Sequence, residues 1–494
     1  MTAEDGDPMS SRDEHHPRGA SAKRGRVARS FARAKRCHSV AEVQAVVHAA
    51  REARPAQVVR CGGNLSASAL AAFDPSTNVP ITLQGALRAV SVRGRHADGT
   101  TSFHVGGGCM IGDDPTNPEA QVGGSLMRQV DAEGCALPLA GGSSIMTIAG
   151  YVSTGSEGGS TQRSLAECIE AIEIVDGLGE VRTLTRGTDE LDAAGVSLGL
   201  FGVVTGVTLR LPPRYRLRGT EQNVRFEDSI LASAEAFLDA HERHSNVHAY
   251  WFPNEGVHVV QQHLADQVAA THPHAAYVHE VSGFLKNQGY TAVMQAVNLA
   301  THRGYHVLAA ALLRLFARPQ RVAKQFCEDW HIAVPSDDQV SIATRRGFDS
   351  TEIWFDAAHA GLVLEAAHRL FASDPIACGN SGLQIFCAKR SPFWMSPAYG
   401  GNQIRVDTLW WPGNPRGTAD DYFRRFWEAF LGLPSARLHW GKDLPPVGPL
   451  FGPGPLAGAY PRLNDWLGMR ERFDPHQIFL SDFWREIFGI PKVR

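Results

Sequence analysis

The sequence predicts a protein of two large domains in which helices and strands are mixed. At 494 residues the chain is too long for one small hydrophobic core, and two large domains follow from typical domain sizes. Residues 137–160 form a compact run of small residues suited to holding a large cofactor, and the middle of the chain, roughly 214–436, mixes helical patterns with short strands. Hydrophobic residues at 43% and charged residues at 20% are typical of a globular protein.

The chain begins with a segment that favours disorder over residues 1–30. An acidic, histidine-containing start is followed by a basic run with little to bury, and the segment lacks the apolar core of a secretory signal. A solvated tail is the leading interpretation, and an arm for nucleic acid or a membrane is the alternative. Since the net charge is −3 and no apolar run approaches the roughly eighteen residues of a membrane span, we expect a cytoplasmic protein that binds neither nucleic acid nor a membrane.

The cysteines and histidines do not predict a metal site. The eight cysteines are scattered without C-x-x-C spacing, which favours reduced, buried thiols, and the 21 histidines are dispersed. The signatures H-E-x-x-H and G-x-x-x-x-G-K-[ST] do not occur in the sequence. Zinc hydrolysis and P-loop phosphate transfer therefore lack their usual residues.

Residues 31–213 contain the elements of a first domain. The segment from Ser39 to Ala53 predicts a helix behind a capping box, and AQVVRC predicts a strand that enters the turn at Gly62 and Gly63. Further on, ECIEAIEIVDGLGEVRTL predicts a hairpin, and VSLGLFGVVTGVTLRL predicts a strand that ends before a proline pair, Pro212–Pro213. That pair is the predicted domain boundary.

The small-residue run, Leu137–Ser160, predicts a ligand-binding wall. Glycines alternate there with hydroxyl side chains, so backbone N–H groups can approach a flat or anionic ligand. Apolar anchors such as Ile148 and Val152 imply that the run is buried against something, whereas the alternative is a surface loop. The glycines from Gly106 to Gly112 do not form G-x-G-x-x-G, so a dinucleotide fold of the Rossmann type has weak support.

Several short motifs occur in an order found in one known family. They are R-C-G-G-N-L-S from Arg60, V-G-G-G from Val105, T-I-A-G-Y-V-S-T-G from Thr147, S-L-G-L-F-G-V-V-T-G-V-T-L from Ser197, SPAYG at 396–400 and HWGK at 439–442. In this order they resemble the vanillyl-alcohol-oxidase superfamily, and the last two resemble its sugar-lactone oxidase and alditol oxidase branch. The similarity covers most of residues 36–213 and 390–490.

The resemblance implies a two-domain α+β fold with an FAD-binding domain and a sheet-based substrate domain. The FAD-binding domain would comprise residues 31–213 and the returning segment 437–494, and the substrate domain residues 214–436. The resemblance implies that FAD is held by Gly62, Gly63, Asn64, Leu65, Ser66, Gly141, Gly142, Ser143, Ser144, Thr147, Gly150, Ser153, Gly155, Val203, Val204, His439 and Lys442.

The sequence departs from the family at the residues nearest the chemistry. Many members carry a histidine bonded to the flavin in the turn after Arg60, where this chain has Asn64, Leu65 and Ser66. We therefore predict FAD bound noncovalently. The family's Glu-x-Arg pair falls on Gln384 and Phe386.

The remaining catalytic candidates come from the same alignment. The position where sugar oxidases often have histidine falls on Asp407, and a shift in alignment would make Arg405 the nearest cation. Lys442 matches a family lysine near the flavin and the substrate oxygen. Glu157 replaces a family histidine, and a solvated charge and a new polar contact remain equal alternatives.

These residues predict the oxidation of a carbinol, with hydride transfer to flavin N5 and dioxygen as the acceptor. Gln384, Asp407 and Lys442 are the predicted catalytic residues. A flavin-binding protein without redox turnover is the alternative. Aromatic residues near the site favour an elaborated alcohol over a free sugar lactone, although for each residue taken alone its spacing favours a simple core role. They are Phe386, Trp394, Trp410 and Trp411.

Overall fold

The structure is a computed structural model, and it describes most of the chain. The described residues are 31, 33–63, 78–113, 124–138, 144, 146–254, 257–277, 296–297, 299–300, 303, 305–316, 318–333, 349–373, 382–410 and 417–492. Several predictions fall outside them, namely the tail 1–30, Asn64, Leu65, Ser66, Gly141, Gly142, Ser143 and Trp411.

The first sheet is small and parallel, with strand order β1-β3-β2. Its strands are β1 (Lys35–Cys37), β2 (Val58–Cys61) and β3 (Asn78–Leu83). Helix α1 (Val40–Glu52) buries Val43, Val46 and Val47, as its apolar spacing predicts. The Ser39 hydroxyl accepts the Glu42 N–H at 3.3 Å, which confirms the predicted helix cap.

The second sheet has five antiparallel strands in the order β4-β5-β8-β6-β7. They are β4 (Val90–Arg95), β5 (Thr101–Gly106), β6 (Ile169–Asp176), β7 (Val181–Thr185) and β8 (Gly202–Leu211). The predicted hairpin is confirmed, because β6 ends at Asp176 and pairs with β7. Strand β8 ends one residue before the proline pair, as predicted.

The third sheet has eight strands in the order β12-β9-β11-β10-β14-β15-β13-β16, and every pair is antiparallel. The strands are β9 (Tyr215–Arg225), β10 (Asn246–Asn254), β11 (Val257–Ala269), β12 (Lys324–Asp329), β13 (Asp349–Asp356), β14 (Leu383–Ala388), β15 (Gln403–Trp410) and β16 (Arg437–Leu438). The sheet therefore extends as far as Leu438, just beyond the loop formed by residues 431–436.

Among the described residues, ten further α-helices cover the sheets and connect them. They are α2 (Leu126–Ala132), α3 (Ile148–Thr154), α4 (Asp189–Ala194), α5 (Ala234–Arg243), α6 (His306–Phe316), α7 (Ala360–Ser373), α8 (Ala419–Phe430), α9 (Pro453–Ala459), α10 (Leu463–Phe473) and α11 (Asp482–Phe488). In the described part of the chain, no helix is both long enough and apolar enough to cross a membrane.

The C-terminal segment packs on the N-terminal part of the chain. The Trp466 indole N–H donates to the Ala193 carbonyl at 2.9 Å, and the Arg60 guanidinium donates to the Phe479 carbonyl at 2.9 Å. Ile478 and Phe479 share a core with α1 and the first sheet. These contacts place HWGK, at 439–442, between the third sheet and the N-terminal domain.

Candidate active site

Two glycine-containing segments predicted to hold the cofactor meet in the structure. Thr147 caps α3 by accepting the Gly150 N–H at 3.2 Å. A Cβ atom on Gly63, in the turn after β2, would lie 2.6 Å from the Thr147 methyl group. Only glycine therefore fits at this contact, which brings the turn after β2 against the start of α3.

Several other described residues predicted to hold the cofactor have their partners in the N-terminal part of the chain. Gly62 donates its N–H to the Ile81 carbonyl at 3.0 Å, and Ser144 accepts the Gly112 N–H at its carbonyl at 2.8 Å. The Ser153 hydroxyl accepts from Ser197 at 3.3 Å. Val203 and Val204 lie buried on β8, and Gly155 ends α3 in the left-handed conformation.

The glycine loop, residues 155–160, connects the small-residue run to the third sheet. The Gly159 N–H donates to the Cys387 carbonyl, and the Gly159 carbonyl accepts the Val247 N–H, both at 2.8 Å. A Cβ on Gly158 would lie 2.6 Å from the Phe386 ring, and one on Gly159 would lie 2.5 Å from the His248 imidazole. The loop thus rests directly on the side chains of β10 and β14 because it has none of its own there.

Glu157, on the glycine loop, is a buried polar contact and not a solvated charge. Its Oε1 accepts the Ser164 hydroxyl at 2.9 Å and the Ala166 N–H at 3.1 Å. Burial raises the pKa of this carboxyl to about 7, against the lowering effect of those hydrogen bonds. The structure therefore decides between the two alternatives that the sequence left equal.

The register of the third sheet places the polar residues of three strands on one face. Asp407 on β15 stands opposite Gln384 on β14 and Glu352 on β13. In the next row on that face, Arg405 stands opposite Phe386 and Trp354. Directly opposed residues project to the same side of a sheet, so these six side chains form one continuous surface.

Arg405 and Glu352 form a buried ion pair on this surface. Arg405 donates to Glu352 Oε1 at 2.7 Å and to Gln384 Oε1 at 3.1 Å, and its guanidinium lies 3.8 Å from the centre of the Phe386 ring. The Trp354 indole N–H also donates to Glu352 Oε1, at 2.5 Å. A carboxylate and a guanidinium are thus paired beside Gln384, although they come from β13 and β15 and not from β14.

Lys442 lies between the two carboxylates. Its Nζ donates to Asp407 Oδ2 at 3.2 Å and is 4.0 Å from Glu352 Oε2. Burial raises the pKa of Asp407 to about 6, while Lys442 lowers it and Glu352 raises it further. Asp407 can therefore exchange a proton close to neutral pH.

His439 is held in one neutral tautomer beside the glycine loop. Its Nδ1 accepts the Gly441 N–H at 3.0 Å, so Nε2 carries the proton and points to the Ser156 hydroxyl at 3.2 Å. Burial, Lys442 and Arg405 all lower the pKa of this imidazole, to about 3. His439 therefore acts as a hydrogen-bonding group and not as a charge.

Several buried polar atoms without a hydrogen bond lie where the glycine loop faces the sheet. They are Tyr151 Oη, Glu352 Oε2, Arg405 Nε, Asp407 Oδ1 and both ring nitrogens of His248, and other buried atoms without a hydrogen bond occur elsewhere in the described part of the chain. Roughly nine in ten buried polar groups in proteins find a partner. The atoms at this place could therefore receive their missing hydrogen bonds from a polar ligand.

The structure brings the three predicted catalytic residues together and adds others that the sequence did not reveal. Gln384, Asp407, Lys442 and His439 lie in one cluster, and Arg405, considered only as a fallback, is central to it. Glu352 was missed because the strand DSTEIWFD, in which it lies, belongs to none of the family motifs. Within the described residues, no group of three or more His, Cys, Asp or Glu side chains could hold a metal ion.

The aromatic candidates separate into two roles. Phe386 belongs to the polar surface through its contact with Arg405. Trp394 lies under the Arg462 guanidinium, and Trp410 stacks on Tyr422 with ring centres 5.2 Å apart. The two tryptophans therefore serve the core, which is the role that their spacing favours.

A family model and several curated relatives match the chain. The model for D-arabinono-1,4-lactone oxidase matches residues 207–487, which is more than half of the chain. The alditol oxidase of a Streptomyces strain is 25% identical over 76% of this chain and 82% of its own. The L-gulono-1,4-lactone dehydrogenase of Mycobacterium tuberculosis is 24% identical over 76% of this chain and 83% of its own.

Solved structures confirm the predicted α+β, two-domain fold. The cholesterol oxidase of Brevibacterium sterolicum superposes with a TM-score of 0.66 over 92% of this chain and 93% of its own, at 13% identity. A cholesterol oxidase described as solvent-stable gives a TM-score of 0.66 over 90% and 93% of the two chains, at 15% identity. At such identities the likeness concerns the fold alone.

Proposed function

Because this chain belongs to the D-arabinono-1,4-lactone oxidase family of FAD-binding oxidoreductases, we propose that it oxidises a carbinol of a sugar-like compound to a carbonyl. The acceptor in this proposal is noncovalent FAD, which dioxygen then reoxidises. One observation carries the proposal: a lysine and a proton-accepting carboxylate are paired at 3.2 Å on the buried face opposite the glycine loop.

The described residues fit a noncovalently bound dinucleotide. Gly63 is in close contact with Thr147, and the buried Tyr151 hydroxyl on α3 has no hydrogen-bond partner among the described residues. FAD would be held by the wall together with the segments around Asn64 and Gly141, and by His439 and Lys442 opposite. When bound, FAD supplies the electron-pair acceptor that takes the carbinol hydrogen as hydride.

The protein's own groups would manage the hydroxyl proton. Asp407, whose pKa lies at about 6, accepts that proton at its carboxylate above this pH. Lys442 donates a hydrogen bond from Nζ to the substrate oxygen as negative charge develops there. Arg405 cannot take the proton because a guanidinium stays charged, and it fixes Glu352 and Gln384 in place.

The relatives support a substrate with several hydroxyl groups. Their names specify an alditol and sugar lactones, and they include both an oxidase and a dehydrogenase. Dioxygen as the acceptor, the noncovalent state of FAD and the identity of the carbinol are therefore the finer parts of the proposal.

Anaerobic mixing of the purified yellow protein with alditols, sugar lactones, glycosides and amino alcohols tests the proposal. We expect one class to bleach the flavin absorbance and air to restore it, and acid precipitation to leave the flavin in the supernatant. Failure of every class to bleach the flavin would favour a binding protein without redox turnover. Flavin that stays in the pellet would contradict noncovalent binding.

Lys442→Ala should abolish bleaching of whatever flavin the variant still binds, because the substrate oxygen loses its cationic donor. Lys389→Ala is the matched control, since the two lysine side chains are similarly exposed, at 24% and 21%, and Lys389 pairs with Glu167 outside the cluster. Normal bleaching by Lys442→Ala in stopped-flow measurements would remove Lys442 from the site.

A further inference from the structure

Two neighbouring strands each present one carboxylate oxygen that has no hydrogen bond. Glu352 is 1% exposed and Asp407 is 3% exposed, and in the described part of the chain neither Glu352 Oε2 nor Asp407 Oδ1 has a hydrogen-bond partner. The other oxygen of each residue is already engaged, Glu352 Oε1 by Arg405 and Trp354 and Asp407 Oδ2 by Lys442. Buried carboxylate oxygens without a donor are unfavourable, so a ligand that donates hydrogen bonds would be stabilised there.

The charges of the cluster balance. Glu352 and Asp407 carry two negative charges when ionised, and Arg405 and Lys442 carry two positive charges. The nearby imidazole of His439 stays neutral, as does that of His248, whose pKa burial lowers well below its usual value. No surplus positive charge is left for an anion, because each cation is already paired with a carboxylate.

We propose that Glu352 and Asp407 bind two hydroxyl groups of one uncharged polyhydroxylated substrate, on either side of Lys442, and that the site rejects sugar acids. Each hydroxyl donates to one of the unpartnered oxygens, Glu352 Oε2 or Asp407 Oδ1. Glu352 is then a substrate-binding residue for the same site. The inference rests on the proposed function for the location of the substrate, but it concerns binding and not turnover.

The strand register offers a direct way to move the carboxylate. Gln384 and Glu352 stand opposite Asp407 from its two sides, and both are contacted by Arg405. Exchanging them by Glu352→Gln with Gln384→Glu keeps the volume, the total charge and the acceptors for Arg405. Only the position of the carboxylate relative to Lys442 changes.

The experiment titrates the flavin-loaded protein without oxygen, using the uncharged alditol xylitol and its acid counterpart xylonate, and follows flavin absorbance perturbation and calorimetry. We expect the wild type to bind xylitol at least about tenfold more tightly than xylonate. Glu352→Gln should weaken xylitol binding about tenfold or more and reduce the preference for xylitol over xylonate, because it removes both a hydroxyl acceptor and a negative charge.

The exchange variant and a control complete the test. The double variant should not restore xylitol affinity, since its carboxylate lies away from Lys442. Glu221→Gln removes another buried carboxylate from the same face, four strands from β15 at about 19 Å, and should leave both affinities unchanged. Flavin content and the melting temperature identify any variant that is misfolded.

The outcomes separate this inference from the proposed function. Unchanged xylitol affinity in Glu352→Gln, equal wild-type affinity for the two probes, or no xylitol binding at all would overturn the inference. Xylitol binding that depends on Glu352 without any bleaching of the flavin would support the inference while contradicting the proposed oxidation.

Discussion

The small-residue wall and the charged face of the third sheet meet at the glycine loop, yet they are constructed differently. The wall uses backbone groups and short hydroxyl side chains, such as those of Thr147 and Ser153, and carries Gly63 where no other residue fits. The opposite face uses long ionisable side chains held by one another, with Arg405 at the centre.

The difference indicates which of the two surfaces depends on the identity of its residues. A surface made of backbone N–H groups keeps its shape as long as its glycines remain, because the recognising atoms are common to all residues. A surface made of side chains depends on each residue type. In this protein its charged groups come from neighbouring strands, Glu352 from β13 and Arg405 from β15.

The largest effect should come from removing the Asp407 carboxylate from the charged face. In Asp407→Asn we expect the rate of flavin reduction to fall by about 10²–10⁴, because a positioned base is lost. In the wild type, the rate should rise with pH up to about 6 and then level off, since Asp407 accepts a proton only when ionised. Stopped-flow reduction over pH 4–9 measures both effects, and a wild-type pH profile retained by the variant would contradict this role.

A smaller effect should follow from ionisation of the buried carboxyl group of Glu157 on the glycine loop. The folded pKa of about 7 lies above the ordinary value of 4.5 for a glutamate carboxyl, so the folded state binds more protons between these values and stability falls as pH rises through that window. Relative to Glu157→Gln, the wild type should lose about 3 kcal/mol of unfolding free energy between pH 4.5 and 7. Urea denaturation at several pH values measures this, and Glu227→Gln, which replaces an exposed glutamate, is the control for the substitution itself.

The contact between the glycine loop and the third sheet can be disrupted at Gly159. Gly159→Val should destabilise the protein by about 2–4 kcal/mol, because its Cβ would lie 2.5 Å from the His248 ring and its φ is +86°. Gly187→Val is the matched control, with the same φ of +86° and open space around the Cβ position. Equal losses in the two variants by urea denaturation would mean that backbone strain, and not contact with the sheet, explains the effect.

The smallest effect should come from Ser156→Ala. This change removes one hydrogen bond from His439 Nε2 and should cost about 1 kcal/mol of stability. Because His439 keeps its Gly441 contact, flavin binding should weaken only slightly. Loss of all bound flavin in the variant, measured by the ratio of flavin to protein absorbance, would contradict this expectation. It would show that the contact between Ser156 and His439 contributes more to flavin binding than a single hydrogen bond does.

The parts of the molecule that could be predicted from sequence are those formed by neighbouring residues. The cap at Ser39 and the hairpin at Asp176 depend on contacts within a few positions, and both are confirmed. The cluster of Asp407, Gln384 and Lys442 was predicted only because a family resemblance supplied long-range information.

The rest required the order of the strands. Glu352 and Arg405 lie 53 positions apart and meet because β13 pairs with β15 in the sheet. No local pattern in the sequence specifies that pairing, since either strand could have found another neighbour. The burial of Glu157 was likewise undecidable from sequence, because it depends on Ser164 folding back over the glycine loop.

The guanidinium of Arg405 is held on several sides before any substrate arrives. Glu352 and Gln384 fix its two terminal nitrogens, the Phe386 ring supports its flat face, and Gly158 leaves room beside its Nε. A charge that is already in position does not have to rotate or shed solvent when a neighbouring oxygen becomes more negative. Arg405 therefore provides a preorganised electric field, because its charge is oriented and desolvated when the chain folds and not when a substrate binds.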